Sequence, residues 1–240
     1  MPKSMRLNKG LVSLVAMVGL SLGATAANAA LTIVSSVGGA PSAGVTRWNF
    51  DVGAVPPADA VISFTGNAQF VTGSVSGRYA APYLSGNNGA GFGFGVPDQP
   101  NGVDTTRYVT TGSTGAVAGA NATITFATPQ QYLGLLWGSV DTYNTLSFFL
   151  GQTSVGSITG SDITPSATGN QGAQGTFYVN INSDLQFDRV VFTSSQYAFE
   201  FDNVAYGTRP IPTVPLPAAA WLLLSGLGGL GVLGRRRKNS

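Results

Sequence analysis

Thr123-Ile-Thr-Phe126 and Tyr132-Leu-Gly-Leu-Leu-Trp137 are the two stretches that decide the fold class of this chain. In the first stretch, apolar residues alternate with threonine, which is the pattern of a β-strand with one buried face and one wet face. The second stretch has no alternation, which is typical of a strand covered on both faces. We therefore expect a half-exposed strand followed by a central, fully buried one.

The rest of the body continues this β pattern. Gly, Thr, Ser, Asn and aromatic residues dominate, and short β-rich runs recur between turn clusters without an apolar stripe of helical period. So many short strands predict an all-β fold, an antiparallel β-sandwich or jelly-roll-like domain, over residues 30–209. The predicted strands are Leu31–Val37, Thr46–Val52, Val61–Thr65, Gln69–Val75, Thr106–Thr110, Ala122–Ala127, Tyr132–Trp137, Thr145–Leu150, Thr153–Ile158, Thr176–Ile181, Arg189–Thr193 and Ala198–Tyr206.

Three connections stand out between these strands. Ser85–Gly102 and Gly160–Gly175 have the glycine-rich composition of long loops, which in a compact domain are usually functional or mobile. The shorter break at Gly138–Asn144 separates Tyr132–Trp137 from a strand with apolar residues at alternate positions. We expect a hairpin at this break.

Charge and missing residue types exclude several function classes. The whole chain has a net charge of +2, but residues 31–209 contain five arginines and ten acids, which is a net charge of −5. Without a basic patch to neutralise phosphates, a nucleic-acid partner is not expected. The chain has no cysteine and no histidine, which excludes disulfides, thiolate chemistry, Ser-His nucleophiles and ordinary zinc sites.

Residues 1–29 have the pattern of a secretory signal peptide. Lys3, Arg6 and Lys9 form a basic region, Leu11–Leu22 is apolar, and Ala27-Asn28-Ala29 is a small-residue cleavage site. Cleavage is expected directly after Ala29. We therefore expect the Sec export machinery to carry the body out of the cytoplasm.

The C-terminal part has the pattern of a membrane anchor. A proline-rich linker at 210–217 precedes an apolar segment at 218–234 and a basic tail at 235–240. As a helix, Val214 to Gly234 would reach about 31 Å, close to the hydrocarbon thickness of a bilayer. Clustered cations oppose translocation, so we expect one transmembrane helix with a cytoplasmic C-terminus. The cations of this basic stop signal are Arg235, Arg236, Arg237 and Lys238.

The order of these features resembles the PEP-CTERM sorting signal. A signal peptide, an exported polar body, a Val-Pro-x-Pro motif, an apolar helix and a basic cluster follow one another. Leu216 stands where that family usually has Glu, but the stretch from Val214 to Trp221 resembles a variant in which Leu replaces the acid and a Trp follows. The residues of this sorting motif are Val214, Pro215, Leu216 and Pro217.

The resemblance implies how the protein is sorted and where in the cell envelope it ends up. Proteins with this signal are recognised by exosortase, a membrane peptidase of Gram-negative bacteria that make exopolysaccharide. It implies a precursor anchored in the inner membrane, processing near the prolines, and release or attachment at the cell surface or in the extracellular matrix.

The stretch Phe199-Glu-Phe-Asp-Asn-Val-Ala-Tyr206 contains a conflict of strand parity. Its two phenylalanines share one parity, whereas Val204 and Tyr206 share the other, so a straight strand would expose one apolar pair. A β-bulge at Asp202-Asn203 would resolve the conflict.

A bulge of this kind makes its polar residues candidates for a site, because bulges are frequent beside functional sites. Asp202 and Asn203 are therefore candidate ligands for Ca²⁺, with Asp141 and Asn144 as partners from a loop. The alternative is that Asp202 and Asn203 only end the strand ladder through local hydrogen bonds.

Carboxylates and aromatic side chains leave two further interpretations. A glycoside hydrolase needs two carboxyl groups, which Glu200 with Asp141, Asp184 or Asp188 could supply, although alternation places Glu200 on the solvent side of its strand. A carbohydrate-binding module would stack an aromatic ring on a sugar beside Asn and Asp side chains. The candidate rings are Trp48, Tyr79, Tyr83, Phe92, Phe94 and Tyr143.

The sequence thus predicts an exported, non-enzymatic cell-surface or matrix protein with a structural or exopolysaccharide-associated role. No catalytic residue is assigned, and Ca²⁺ is the one cofactor considered. A carbohydrate-binding module is the alternative, and a weak glycoside hydrolase is the third interpretation.

Overall fold

The computed structural model describes residues 29–93, 99–112 and 120–211. Across these ranges the chain forms twelve strands, all paired antiparallel, and one short helix, α1, at Gly160–Ile163. The strands are β1 (Leu31–Ser36), β2 (Thr46–Trp48), β3 (Ala60–Thr65), β4 (Gln69–Thr72), β5 (Tyr83–Leu84), β6 (Gly102–Val103), β7 (Arg107–Thr111), β8 (Asn121–Gly138), β9 (Asn144–Leu150), β10 (Thr153–Thr159), β11 (Phe177–Ser194) and β12 (Phe199–Gly207).

The two longest strands, β8 and β11, each contribute to both layers of the fold. The first half of β8 pairs with β3 and with the second half of β11, whereas its second half pairs with β12 and with the first half of β11. The second half of β11 also pairs with β9, and β9 pairs with β10. A single ten-stranded sheet therefore folds over on itself into a sandwich-like pair of layers.

The residues of β8 that face the core between the layers change from one side-chain parity to the other along the strand. In its first half the core residues are even-numbered, and in its second half they are odd-numbered. This change accompanies register shifts in the β8–β11 pairing at the bend. Rings from the two layers meet in the core, where Phe192 of β11 stacks on Phe201 of β12 with centroids 3.9 Å apart. The β8 residues concerned are Ala122, Ile124 and Phe126, then Leu133, Leu135 and Trp137.

The predicted all-β, antiparallel architecture is confirmed, with almost no helix in the described residues. The prediction that Tyr132–Trp137 is covered on both faces is also confirmed, because every residue in it is buried. The two strands predicted on either side of residues 128–131 form one continuous strand, β8.

The predicted hairpin at Gly138–Asn144 is wrong. The second half of β8 is already paired with β11 on one edge and β12 on the other, so no edge is left for β9. β9 instead pairs with β10 and with the second half of β11. Residues 139–143 therefore form a crossover from one layer to the other.

The outer face of β12 and its neighbours is covered by the chain between β4 and β7. Leu84 and Phe92 from this segment form a second, smaller core with Leu136 of β8 and Ala205 of β12. The strands β5 and β6 pair with each other in this covering segment. Side chains on the outer face of β12 are therefore enclosed.

The predicted sorting motif, transmembrane helix and basic tail lie outside the described residues, as do residues 1–28 of the predicted signal peptide. Ala29 is described, and its backbone N–H donates to the Val155 carbonyl oxygen at 2.9 Å. Within the described ranges, no helix has the length and apolar character needed to cross a membrane.

Candidate functional site

The bulge predicted in β12 is present. The register with β8 shifts between Asp202 and Ala205, where β12 has one residue more than its partner strand. Asn203 lies within this shift and has a φ of 50°, a backbone conformation that Asn adopts more readily than most residues. The bulge brings both apolar pairs into one core, namely Phe199 and Phe201 with Val204 and Tyr206. It leaves Glu200 and Asp202 on the opposite, covered face.

A cavity of about 290 Å³ lies at the end of the sandwich where β8 ends and β12 begins. Its walls come from the connection after β4, the crossover after β8, the loop after α1 and the turn between β11 and β12. Its volume is near the lower end of the range of about 300–1,000 Å³ usual for small-molecule sites. The polar and aromatic side chains of its walls include Arg78, Tyr79, Tyr143, Gln171, Gln196 and Tyr197.

Glu200 supplies a buried carboxyl group to this cavity, with 2% of its surface exposed. Its Oε1 accepts a hydrogen bond from the backbone N–H of Ala80 at 2.9 Å, and its Oε2 accepts one from Ser139 Oγ at 2.5 Å. The prediction that Glu200 faces solvent is wrong, because the segment between β4 and β7 covers the outer face of β12. Both oxygens of Glu200 thus accept hydrogen bonds from the protein itself.

Asp141 supplies the second carboxyl group. The hydroxyl of Tyr143 donates to Asp141 Oδ2 at 2.5 Å, and a backbone bridge joins Asp141 to Thr168. Gly169 lies against the same carboxylate, since a Cβ built on it would be 2.6 Å from Asp141 Oδ2. The crossover after β8 and the loop after α1 therefore hold Asp141 between them.

Burial changes the acidity of these groups. It raises the pKa of Glu200 to about 7, against the hydrogen bonds from Ser139 and Ala80 and with a further rise from the charge of Asp141. Burial also raises the pKa of Asp141, which the Tyr143 hydrogen bond partly opposes. The pKa of Tyr143 is raised by burial first and then by its hydrogen bond to Asp141. Perturbed carboxyl groups in a cavity are common at binding and catalytic sites.

A second group of carboxyls lies further along the same face of β12. Asp202 is two residues beyond Glu200, which is about 6 to 7 Å along an extended strand. Burial raises the pKa of Asp202 well above its ordinary value, the charges of Asp104 and Asp51 raise it further, and the Asn203 backbone amide opposes them. We call Asp51, Asp104 and Asp202 the acidic cluster. All three are buried.

The four predicted Ca²⁺ ligands therefore lie in different surroundings. Asp202, a member of the acidic cluster, and the adjacent Asn203 are fully buried, whereas Asp141 lines the cavity. Asn144, at the start of β9, is buried, and neither side-chain polar atom has a hydrogen-bond partner. Among the described residues, no three Asp, Glu, His or Cys side chains converge as a group that could hold a metal ion.

The other candidate carboxyls are also separated by the fold. Asp184 accepts a hydrogen bond from the Ala30 backbone N–H, and Asp188 accepts one from the Gly151 backbone N–H. Neither lines the cavity, so of the predicted pairs only Glu200 with Asp141 shares one space.

Of the candidate sugar-stacking rings, some line the cavity and others lie elsewhere in the fold. Tyr79 and Tyr143 line the cavity. Trp48 and Phe92 are buried in the two cores, and Tyr83 is half-buried in β5. Phe94 lies outside the described residues.

Several residues of the cavity and of the acidic cluster were not predicted from the sequence. Gln171, Gln196 and Tyr197 are single polar residues in loops, and Asp51 and Asp104 have no local motif around them. The long loop at Gly160–Gly175 was the available signal for Gln171, because long loops in compact domains are often functional. For Asp51 and Asp104 the sequence contains no such signal.

Comparison with known proteins assigns no family to the chain. No protein-family model matches it, and no curated protein does. Among solved structures, the enzymatically active domain of tailspike protein 4 from bacteriophage CBA120 matches with 19% identity and a TM-score of 0.29. The match covers 62% of this chain and 19% of the phage chain.

Proposed function

We propose that this chain is an exported surface or matrix protein that binds a saccharide in the cavity beside Glu200. The observation that carries the proposal is the composition of the cavity walls. Tyr197, with 43% of its surface exposed, lines the same cavity as the amide side chains of Gln171 and Gln196 and the carboxyl groups of Glu200 and Asp141.

This combination of groups fits the chemistry of a sugar. A phenol ring offers an apolar face to the C–H groups of a pyranose ring, and its hydroxyl can still bond to solvent or ligand. Amide and carboxyl oxygens accept hydrogen bonds from sugar hydroxyls, while amide and guanidinium N–H groups donate to them. Arg78, Gln171 and Gln196 provide the donors, and Asp141 provides a carboxylate within the same space.

Binding is tested with exopolysaccharide from the producing bacterium and with short oligosaccharides made from it. Isothermal titration calorimetry should measure an affinity that falls about 10-fold in Tyr197→Ala, which corresponds to about 1.4 kcal/mol. Leu185→Ala is the control, because Leu185 has 42% of its surface exposed and does not line the cavity. Equal affinity in wild type and Tyr197→Ala would contradict saccharide binding in this cavity.

Glycoside hydrolysis is a second candidate function, because Glu200 and Asp141 line the same cavity. In this reaction one carboxyl group donates a proton to the leaving oxygen, and the second attacks the anomeric carbon or activates a water molecule. The glycosidic C–O bond breaks, and the elements of water are added across it. We favour binding without turnover, since the Glu200 oxygens are already occupied by protein donors.

A reducing-end assay distinguishes the two functions. With exopolysaccharide as substrate, a binding protein should release no new reducing ends during hours of incubation. Release by the wild type that disappears in Glu200→Gln, with saccharide affinity retained, would assign hydrolysis to the cavity.

The address of the protein is a separate proposal, supported by the sequence resemblance of its two ends. The Sec machinery exports the chain, a helix at 218–234 holds the precursor in the inner membrane, and an exosortase-type peptidase processes it near Pro215 and Pro217. Deleting residues 235–238, or changing both prolines to Ala, should leave export intact and stop C-terminal processing. Mass spectrometry of the surface form checks this, and a mature wild-type protein that keeps residues 221–233 would contradict processing.

A further inference from the structure

We propose that Asp104, Asp202 and the side-chain amide oxygen of Asn203 bind one Ca²⁺ ion in the interior, with Asp51 adding negative charge beside it. This site is separate from the saccharide cavity. It differs from the ligand set expected from the sequence, because Asp104 is a ligand and Asp141 and Asn144 are not.

The first support is the absence of donors at buried oxygen atoms. Asp202 and Asn203 have no exposed surface. Neither oxygen of Asp202 accepts a hydrogen bond of normal geometry, and the same holds for Asn203 Oδ1 and Asp104 Oδ2. Buried oxygens without well-placed donors are costly. Asp202 and Asp104 act on each other through charge and a side-chain contact, so their free oxygens, with the amide oxygen of the adjacent Asn203, are the kind of acceptors that a hard cation satisfies.

The second support is a network of hydrogen bonds that joins these residues. Asn203 Nδ2 donates to Gln99 Oε1 at 3.3 Å, and Gln99 Nε2 donates to Asp51 Oδ2 at 3.3 Å and to Thr106 Oγ1 at 2.8 Å. Thr106 donates from its backbone N–H and its hydroxyl to Asp104 Oδ1. Gln99 therefore connects Asn203 directly with Asp51, which lies between β2 and β3. Through Thr106 it also connects Asn203 with Asp104 of the covering segment.

This network uses the donors on one side of the carboxylates and leaves their other oxygens free. Asp104 Oδ1 and Asp51 Oδ2 accept hydrogen bonds, whereas Asp104 Oδ2 and Asp51 Oδ1 accept none. The Asn203 amide is oriented in the same way, because its nitrogen donates twice and its oxygen has no partner. In Asp51, Asp104 and Asn203, hydrogen bonds thus fix one side-chain atom, and a side-chain oxygen of each residue remains without a partner.

The third support is charge. The charges of the Asp104 and Asp51 carboxylates both raise the pKa of Asp202, whereas the guanidinium groups of Arg47 and Arg107 donate to the Ala90 and Phe50 carbonyl oxygens. Two mutually facing carboxylates in a dry interior need either a proton or a cation between them. Two formal ligand charges match a divalent ion, and the third carboxylate keeps the site negative.

The chemistry of the ligands selects Ca²⁺ among divalent ions. The chain has no His or Cys, so the softer transition metals lack their preferred donors. Ca²⁺ accepts carboxylate, amide and carbonyl oxygens in flexible geometry, whereas Mg²⁺ requires a near-octahedral set and keeps several waters.

The test uses the full-length chain in detergent, stripped with chelator and then titrated with CaCl₂ alone. Calorimetry should measure one Ca²⁺ per chain, and the thermal midpoint should rise with Ca²⁺ but not with equal Mg²⁺. Asp202→Asn and, independently, Asp104→Asn should each weaken Ca²⁺ binding at least about 100-fold and remove the rise in midpoint. Asp188→Asn is the control, because Asp188 binds the Gly151 backbone N–H outside this site.

The rival occupant is a proton shared between Asp104 and Asp202. In that case the wild type would bind no Ca²⁺, the midpoint would be equal in Ca²⁺ and chelator, and Asp202→Asn would be as stable as the wild type or more stable. Any of these results overturns the proposal, and the first two do not require the variants to fold.

Discussion

Glu200 and Asp202 lie on the same face of β12, two residues apart, and both are buried, yet their surroundings differ. Glu200 borders an open cavity, and each of its oxygens accepts a hydrogen bond. Asp202 is sealed from solvent, and its oxygens accept none of normal geometry. Burial alone therefore does not define the role of a carboxyl group. Its donors and its access to solvent do.

The difference has a simple structural origin. The end of β12 at Glu200 lies beside the crossover after β8, which supplies Ser139 and leaves a cavity. Asp202 lies under the segment between β4 and β7, which supplies Asp104 rather than donors. The cavity is therefore open to a polar ligand from outside, whereas the buried carboxyl of Asp202 belongs to the place where we propose a Ca²⁺ ion.

Deletion of Asn203 should have the largest effect. Without the extra residue, strict alternation would place either Phe199 and Phe201 or Val204 and Tyr206 outside the core. We expect loss of cooperative thermal unfolding by circular dichroism, because removing several buried side chains costs several kcal/mol each. Asn203→Gly keeps the residue count and tolerates positive φ. A cooperative transition in the deletion variant would show that the bulge is not needed to separate the two faces.

The pH dependence of stability should be the next largest effect. The pKa of Glu200 is raised in the folded chain from 4.5 to about 7, so its contribution to stability is present below about pH 4.5 and lost as pH rises through about 7. The loss amounts to about 3 kcal/mol, because a tenfold change in a protonation equilibrium corresponds to about 1.4 kcal/mol. The free energy of unfolding of Glu200→Gln should not fall in this way between pH 4.5 and pH 8, because glutamine does not titrate. Urea unfolding at pH 4.5 and pH 8 in chelator measures the difference between wild type and variant.

The same comparison separates the titration of Glu200 from that of Asp202. Asp202 is present in both proteins, so any titration of its own cancels in the comparison. A wild-type profile parallel to that of Glu200→Gln would mean that the donors from Ser139 and Ala80 keep Glu200 ionised, contrary to the expectation.

A substitution at Gly169 should have the smallest effect on folding but a clear effect on the cavity. Gly169 has a φ of +70°, and an added Cβ would lie 2.6 Å from Asp141 Oδ2, so Gly169→Ala should cost about 1 to 2 kcal/mol and displace Asp141. Gly151→Ala is the matched control, with a φ of +57° and nothing within 4 Å of the added Cβ. Saccharide affinity should fall in the first variant only. Equal affinities in both variants would remove Asp141 from the binding site.

Much of the fold could be predicted from the sequence because strand patterns are local. The alternation in Thr123–Phe126 and the continuous apolar run in Tyr132–Trp137 give the burial of β8 residue by residue. The parity conflict between Phe199 and Tyr206 likewise requires a bulge, whatever the neighbouring strands are. Pairing partners are not local, and for this reason the expected hairpin at Gly138–Asn144 is replaced by a crossover.

The two sites were decided by the tertiary structure. The sequence by itself determined that β12 has a bulge with Asp202 and Asn203 beside it, since that follows from apolar parity. It could not determine that Glu200 is enclosed, because this depends on a covering segment more than 100 residues away in the chain. The acidic cluster joins Asp51, Asp104 and Asp202 from three distant segments. Only the packing of these three segments against one another brings their charges together.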